Sequence, residues 1–396
     1  SINTELAKLK ECLLMLANNM IKERKKCVLC THENLLDSYI FKDFPIYLGT
    51  SQTNKYLFED MHWGTCEKCG QLQLKKLIEE ASLYGKTHNP SIGKSWIEHN
   101  NSFIDFINDE CFGKILEIGG GNLHIANLIA SSEKVDEYHV MDSNIYKENA
   151  SINKFVFFED LFSLQRIDSE KYDFIIHSHT LEHFYDPLAE LTQLRRILKP
   201  NGKMIFSAPM INNMLKQGFT NALSFEHTYY INENIIKLML ASAGFSMERS
   251  NFFSNSTIND WCLFVSSSPG DQCAMDIKKD SNILKEFDQF VDLNNNIVAD
   301  LNQKLKTCDR EKFIFGAHIF TQSLFNFGLD SDFLYVLDND KNKQNEFLYG
   351  TNLIVKSPKI LSKYANPVVV LRAGQFNKEI KQDILQNIND TTHFLE

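Results

Sequence analysis

The chain has 396 residues, more than a typical single domain, and its 43% hydrophobic and 23% charged composition suits a globular protein that buries a sizeable core in two or three domains. A formal charge of −10 with no long run of Lys or Arg argues against nucleic-acid and membrane-surface partners, because counterion release needs clustered basic charge. No apolar run reaches the roughly 18 residues that span a bilayer, and Ser1 to Lys10 lacks the regions of a signal peptide, so a cytoplasmic monomer or homodimer is expected.

The stretch from Thr4 to Lys26, with Leu6, Leu9, Leu13, Leu14 and Leu16 among Lys and Glu, predicts a packing or dimerising helix. From Cys27 to Gly70 the pattern is irregular, as expected of a small module that depends on a metal for its fold. Two helices are expected next, from Leu72 to Leu83 and from Ser95 to Ile107. Strands then alternate with helical patterns: Ile115 to Ile118, Glu137 to Met141, Lys154 to Phe158, Phe174 to His177 and Met204 to Ala208. That order predicts a largely parallel sheet covered on both faces, with Trp261 to Val265 as its closing edge strand. Ser266 to Asp271 reads as a linker, and an amphipathic helix from Ile283 to Leu305 follows. Four more buried strands (Phe313 to Phe315, Phe333 to Leu337, Leu353 to Val355, Val368 to Leu371) predict a second, smaller α/β unit. The expected domains are 1–95, 96–270 and 271–396.

Of nine cysteines, five are scattered and four form two Cys-x-x-Cys pairs, Cys27 with Cys30 and Cys66 with Cys69. Two intervening residues let a tight turn bring both sulfurs of a pair onto one tetrahedral ion, for which zinc is the natural choice. Four thiolates leave no open coordination position, so such a zinc is structural. Buried, unmetallated cysteines or a redox pair are the alternatives.

Leu116-Glu117-Ile118-Gly119-Gly120-Gly121-Asn122 ends a strand with glycines that permit a tight turn and close approach of a ligand to backbone. Dinucleotide enzymes use the same device, so the turn alone is a weak signal. About 20 residues later a second strand ends in Asp142, whose carboxylate can accept from ribose hydroxyls. A third ends in Glu159-Asp160-Leu161, an acceptor for an adenine amino group beside an apolar contact, and a fourth runs into His177-Ser178-His179-Thr180-Leu181-Glu182-His183. After the fifth, Glu226 and His227 are adjacent in Ser224-Phe225-Glu226-His227-Thr228, readable as an acid/base pair or as a solvated helix start.

From Lys114 to Val265 the chain resembles class I S-adenosylmethionine methyltransferases: Leu-Glu-Ile-Gly-x-Gly-Asn, the acid ending strand two, Leu-Glu-His after strand four, and Leu198-Lys199-Pro200-Asn201-Gly202-Lys203 before strand five recur there in this order. The resemblance implies a Rossmann-like core with S-adenosylmethionine as cofactor, Glu117, Gly119 and Gly121 at its methionine part, Asp142 at the ribose, Asp160 and Leu161 at the adenine, and His179 nearby. Leu123 stands where many relatives carry another glycine. With the paired cysteines and the last unit (Phe315-Gly316-Ala317, Val336-Leu337-Asp338-Asn339-Asp340, Tyr349-Gly350-Thr351, Asn377-Lys378-Glu379-Ile380), the chain resembles the sugar C-methyltransferase family from Cys27 onward. That likeness implies an N-terminal zinc module, a second Rossmann-like C-terminal domain and a nucleotide-linked ketodeoxysugar as substrate. It further implies His227 as the base, Glu226 as its partner, and Tyr84 and His183 lining the pocket. Ser224 replaces a tyrosine of some relatives, and Tyr84 to Ser91 matches loosely. O-methylation of a sugar nucleotide or related glycan precursor, with His227 or His179 as base, and a non-catalytic cofactor-binding scaffold are the alternative functions.

Overall fold

The computed structural model describes residues 20–84, 94–107, 110–160, 164, 167–254, 259–273 and 277–396. Most of the helix expected from Thr4 to Lys26, Leu161, and the segment from Gly85 to Ser91 lie outside the described residues. At the end of that expected helix the chain is extended: β1 (Ile21–Glu23) pairs antiparallel with β6 (Lys76–Ile78), and the ladder supplies backbone partners that a local helix would otherwise provide.

The segment expected to be irregular contains the long strands β2 (Leu35–Pro45) and β4 (Phe58–Cys66), with the two-residue β3 (Thr50–Ser51) between them. Their pairing shifts register twice, between Asp37 and Tyr39 and between Phe41 and Phe44, and each bulge breaks the two-residue alternation by which a strand is read from sequence. β5 (Leu72–Leu74) joins them as a third strand. The helix expected from Leu72 to Leu83 is therefore two strands followed by the single turn α1 (Glu80–Leu83), because Leu72 and Leu74 alternate against Thr65 and Trp63 rather than stacking on a helix face.

After α2 (Lys94–Ile107) come β7 (Gly113–Ile118), α3 (His124–Ala130), β8 (Val135–Asp142), β9 (Phe155–Glu159), β10 (Tyr172–Ser178), α4 (Pro187–Ile197), β11 (Leu198–Pro209), α5 (Ile211–Lys216), α6 (Glu233–Ser242), β12 (Phe245–Phe253) and β13 (Cys262–Pro269). The strands form one sheet in the order β12-β13-β11-β10-β7-β8-β9. β13 alone runs antiparallel to its neighbours and the rest are mutually parallel. This is a mostly parallel, Rossmann-like α/β sheet. β13 is not its edge: β12 lies outside it, and five successive exposed residues from Glu248 to Phe252 hide that strand from a reading by hydrophobic alternation. The expected linker is also partly strand, since β13 continues to Pro269 with Ser266 and Ser267 buried and Ser267 Oγ donating to the Met204 carbonyl.

The long helix α7 (Asn282–Lys306) leads to β14 (Lys312–Phe315), α8 (Ile319–Asn326), β15 (Tyr335–Leu337), β16 (Phe347–Leu348), β17 (Val355–Lys356), β18 (Val368–Leu371), α9 (Asn377–Asn387) and β19 (His393–Leu395). β17-β15-β14-β18-β19 make a fully parallel sheet. Val298, Leu301 and Leu305 of α7 pack on Ile314, Val336 and Val370 of that sheet in a core cluster of their own. β16 pairs with β3, so the first and last parts of the chain are joined by backbone hydrogen bonds.

Candidate active site

β7 ends in a turn whose geometry only glycine serves. Gly119 has φ +76, and a Cβ on Gly121 would lie 2.1 Å from the Asn144 carbonyl oxygen. Gly119 N donates to the Met141 carbonyl at 2.9 Å, clasping the ends of β7 and β8. Asp142 completes the clasp: one carboxylate oxygen accepts from Gly121 N and the other from Asn144 N, each at 2.9 Å. Leu123 adopts a left-handed conformation at φ +62 and is fully buried, so the apolar side chain anchors the turn at a conformational cost. Glu117, buried behind the glycines, accepts from Tyr138 Oη at 2.8 Å, and burial pushes its carboxyl up to about 7.

Glu117, Gly119, Gly121, Asp142 and Asn144 line a cavity of about 460 Å³ together with Asp160, His179, Tyr84, His183, Glu226 and His227. Every site residue expected from the sequence outside the cysteines thus borders one space, Leu161 excepted as lying outside the described residues. Carboxyl ends of parallel strands meet there, the usual place for ligands in such sheets. Tyr84 Oη and His183 Nδ1 are 2.8 Å apart, and the His183 and His227 ring centroids 5.2 Å. Burial, with Glu226 next, pushes the Tyr84 phenol well above its ordinary value, so it is a neutral hydroxyl. His227 Nδ1 is 3.1 Å from the Ala222 carbonyl oxygen, to which it can only donate. Ser224 Oγ accepts from both Glu226 N and His227 N at 3.1 Å, a double contact within one short loop that holds the Glu-His backbone in place.

Sequence reading missed several contributors. Glu182 is fully buried and its carboxyl is pushed up to about 7 by burial. Its Oε1 lies 3.3 Å from His179 Nδ1 but is not aligned for a hydrogen bond. Its place in His179-Thr180-Leu181-Glu182-His183 was the available signal. Trp96, Asn100 and Trp261 line the cavity too, as do His318, Ile319 and Phe320 from the second α/β unit, brought there only by tertiary packing.

In the N-terminal part, Cys27 Sγ and Cys69 Sγ are 3.5 Å apart, as are Cys30 Sγ and Cys66 Sγ, and all four sulfurs lie within 4.8 Å of one another. A tetrahedral ion with metal–sulfur bonds of about 2.3 Å spaces its sulfurs about 3.8 Å apart, so the cluster fits one zinc. Gly70 beside it is required at φ +79, where a Cβ would strike the Asp280 carbonyl oxygen at 2.2 Å.

Residues 71–250 match the model of a methyltransferase domain family. No curated protein matches the chain by sequence. Among solved structures, an S-adenosylmethionine-dependent methyltransferase of Mesorhizobium loti aligns at 11% identity and TM-score 0.38 over 44% of this chain and 100% of its own. One of Aquifex aeolicus aligns at 16% and 0.36 over 44% and 93%. The N-methyltransferase NodS of Bradyrhizobium japonicum aligns at 13% and 0.35 over 44% and 97%. Among the described residues, no helix is long and apolar enough to cross a membrane.

Proposed function

We propose that this S-adenosylmethionine-dependent methyltransferase places its methyl group on the carbon beside the ketone of a nucleotide-linked deoxysugar, with His227 as the base that makes that carbon nucleophilic. The observation that carries the reading is the state of the His227 ring. Nδ1 can only donate to the Ala222 carbonyl, which leaves Nε2 as the ring nitrogen able to act as a base, in a residue that borders the cavity.

Bound S-adenosylmethionine supplies an electrophilic methyl group. The Cβ-free turn at Gly119 and Gly121, beside the Asp142 carboxylate in the cavity wall, fits such a ligand. In this reading Asp142 holds the ribose, Asp160 and Leu161 the adenine, and Glu117, Gly119, Gly121 and His179 border the methionine end. His227 Nε2 takes the acidic C–H proton, and the electron pair spreads onto the ketone oxygen. The Tyr84–His183 pair offers a donor where that charge appears, an effect available only in the transition state and thereafter. Glu226 orients His227 or binds the sugar.

The same reading divides the chain at 1–95, 96–270 and 271–396, with Cys27, Cys30, Cys66 and Cys69 holding a structural zinc in the first unit and the last unit contributing to substrate binding. Zinc removal should then unfold the module, and Cys66→Ser should cost solubility. A zinc-free protein with full activity would contradict that part.

His227→Ala should lower turnover by about 10² to 10⁴ while calorimetry finds S-adenosylmethionine binding nearly intact. In deuterated water the wild type should exchange the acidic C–H of a ketosugar nucleotide, and the variant should lose that exchange. Wild-type turnover in the variant removes His227 as base. A methyl ether as product replaces carbon attack with oxygen attack.

A further inference from the structure

A third group of metal-ligating side chains comes together apart from the four cysteines and the His183–His227 pair: His99 from α2, His179 just past the end of β10, and Cys262 at the start of β13. One ligand atom from each lies within 4.8 Å of the others. Cys262 Sγ and His179 Nε2 are 3.2 Å apart, and the imidazole centroids of His99 and His179 are 5.0 Å apart with their planes at 67°. A tetrahedral ion with nitrogen at about 2.0–2.1 Å and sulfur at about 2.3 Å sets nitrogen and sulfur about 3.5 Å apart and two imidazole centroids about 5 Å apart. The cluster therefore already has nearly the spacing of a shared ion.

His99 Nδ1 is 3.0 Å from Asn100 Oδ1, whereas His179 Nδ1, 3.3 Å from Glu182 Oε1, is not aligned for a hydrogen bond. Ligating imidazoles are commonly held by an oxygen on the nitrogen that does not bind. His99 Nε2, by contrast, is buried with no partner among the described residues, a state that native structures rarely leave unexplained. His99 and Cys262 are themselves fully buried, so solvent does not satisfy these groups.

We propose that His99, His179 and Cys262 bind one divalent cation of the zinc class, tying α2 to the ends of β10 and β13. A thiolate with two imidazoles selects zinc over magnesium or calcium. Binding displaces the Cys262 thiol proton to solvent. The ion stiffens the cavity wall made by His179, Trp96, Asn100 and Trp261. It also holds His179 at its left-handed φ of +51.

The test uses the untagged full-length protein purified without added metal. Elemental analysis should find that Cys262→Ser and His99→Gln each lose about one zinc per chain relative to wild type, whereas Cys66→Ser loses a different one. X-ray absorption at the zinc edge of the wild type should show imidazole nitrogen beside sulfur. That second measurement decides the matter even if the variants fold poorly, because four cysteines contribute sulfur only. Unchanged zinc content in folded Cys262→Ser and His99→Gln, or an all-sulfur shell, overturns the proposal and leaves a dry thiol–imidazole contact. Loss of zinc in Cys66→Ser reads the four-cysteine site separately.

Discussion

The protein builds the same strand-to-strand clasp twice. In the larger sheet Gly119 N donates to Met141 O at 2.9 Å, and Asp142 accepts from Gly121 N and Asn144 N. In the smaller sheet Gly316 N donates to Leu337 O at 2.8 Å, and Asp338 accepts from Ala317 N and Asp340 N, each at 2.9 Å. The backbone device is thus shared, and the differences lie in side chains. Two residues before its glycine the first turn carries the buried carboxyl of Glu117, the second the apolar Ile314. The first keeps three glycines, one of them pressed against Asn144, while the second has a buried Ala317 after Gly316, whose own Cβ would find nothing closer than Thr321 Oγ1 at 3.8 Å. Asp338 is also answered by Lys343 at 3.5 Å. A glycine turn with an acid after the next strand therefore specifies a stable αβ junction; crowding and charge around it distinguish the two uses.

The largest effect should come from the glycines. Gly121→Ala drives a methyl group into the Asn144 carbonyl and should weaken S-adenosylmethionine binding by about 100-fold or more, equivalent to about 3 kcal/mol. Gly316→Ala meets only backbone strain at φ +105 and should cost about 1–3 kcal/mol of stability with affinity unchanged. Calorimetry and denaturant titration separate the two, and equal affinity losses would break the distinction.

A pH effect should mark the Glu117 turn. Burial pushes its folded carboxyl up to about 7 from the ordinary 4.5, so between those values the folded state holds a proton that the unfolded state has released. Stability is therefore greatest below pH 4.5 for this group and falls as pH rises through 7, by about 3 kcal/mol. Glu182 and Glu190 are also raised to about 7, so the diagnostic is the difference between wild type and Glu117→Gln in denaturation at pH 5 and pH 8. A wild-type slope retained in Glu117→Gln would remove the assignment.

Asp142→Ala should reduce cofactor affinity about ten- to a hundredfold through lost charge-assisted hydrogen bonds of about 1.5–3 kcal/mol, whereas Asp338→Ala should change stability but not that affinity. Unchanged binding by Asp142→Ala in calorimetry would refute its ribose role. The smallest effect is expected of Lys343→Ala, about 1 kcal/mol in denaturation, since the pair is partly solvated at 3.5 Å.

What could be read in advance was local. Six strands of the larger sheet announced themselves as short, largely apolar runs, and the glycine turn and the cysteine pairs as fixed spacings between neighbours. The errors fell where pairing overrode the local pattern. Bulges at Asp37/Tyr39 and Phe41/Phe44 erased the alternation of β2, exposure erased that of β12, and apolar spacing from Leu72 to Leu83 suited a helix as well as the strands it became. Ser266 and Ser267, typical linker residues, are buried because β13 lies between two partners.

By itself, then, the sequence determined the Rossmann-like core, the residues that line its cavity from the strand ends, and the four-sulfur set, because each depends on periodicity or on groups a turn apart. Only the tertiary structure decided that His99 meets Cys262 and His179, that Glu182 is sealed between two histidine groups, and that His318 to Phe320 reach the cavity. Those contacts join segments far apart in the chain, and the loop closure that brings them together is selected by the packing of whole elements rather than by any local pattern.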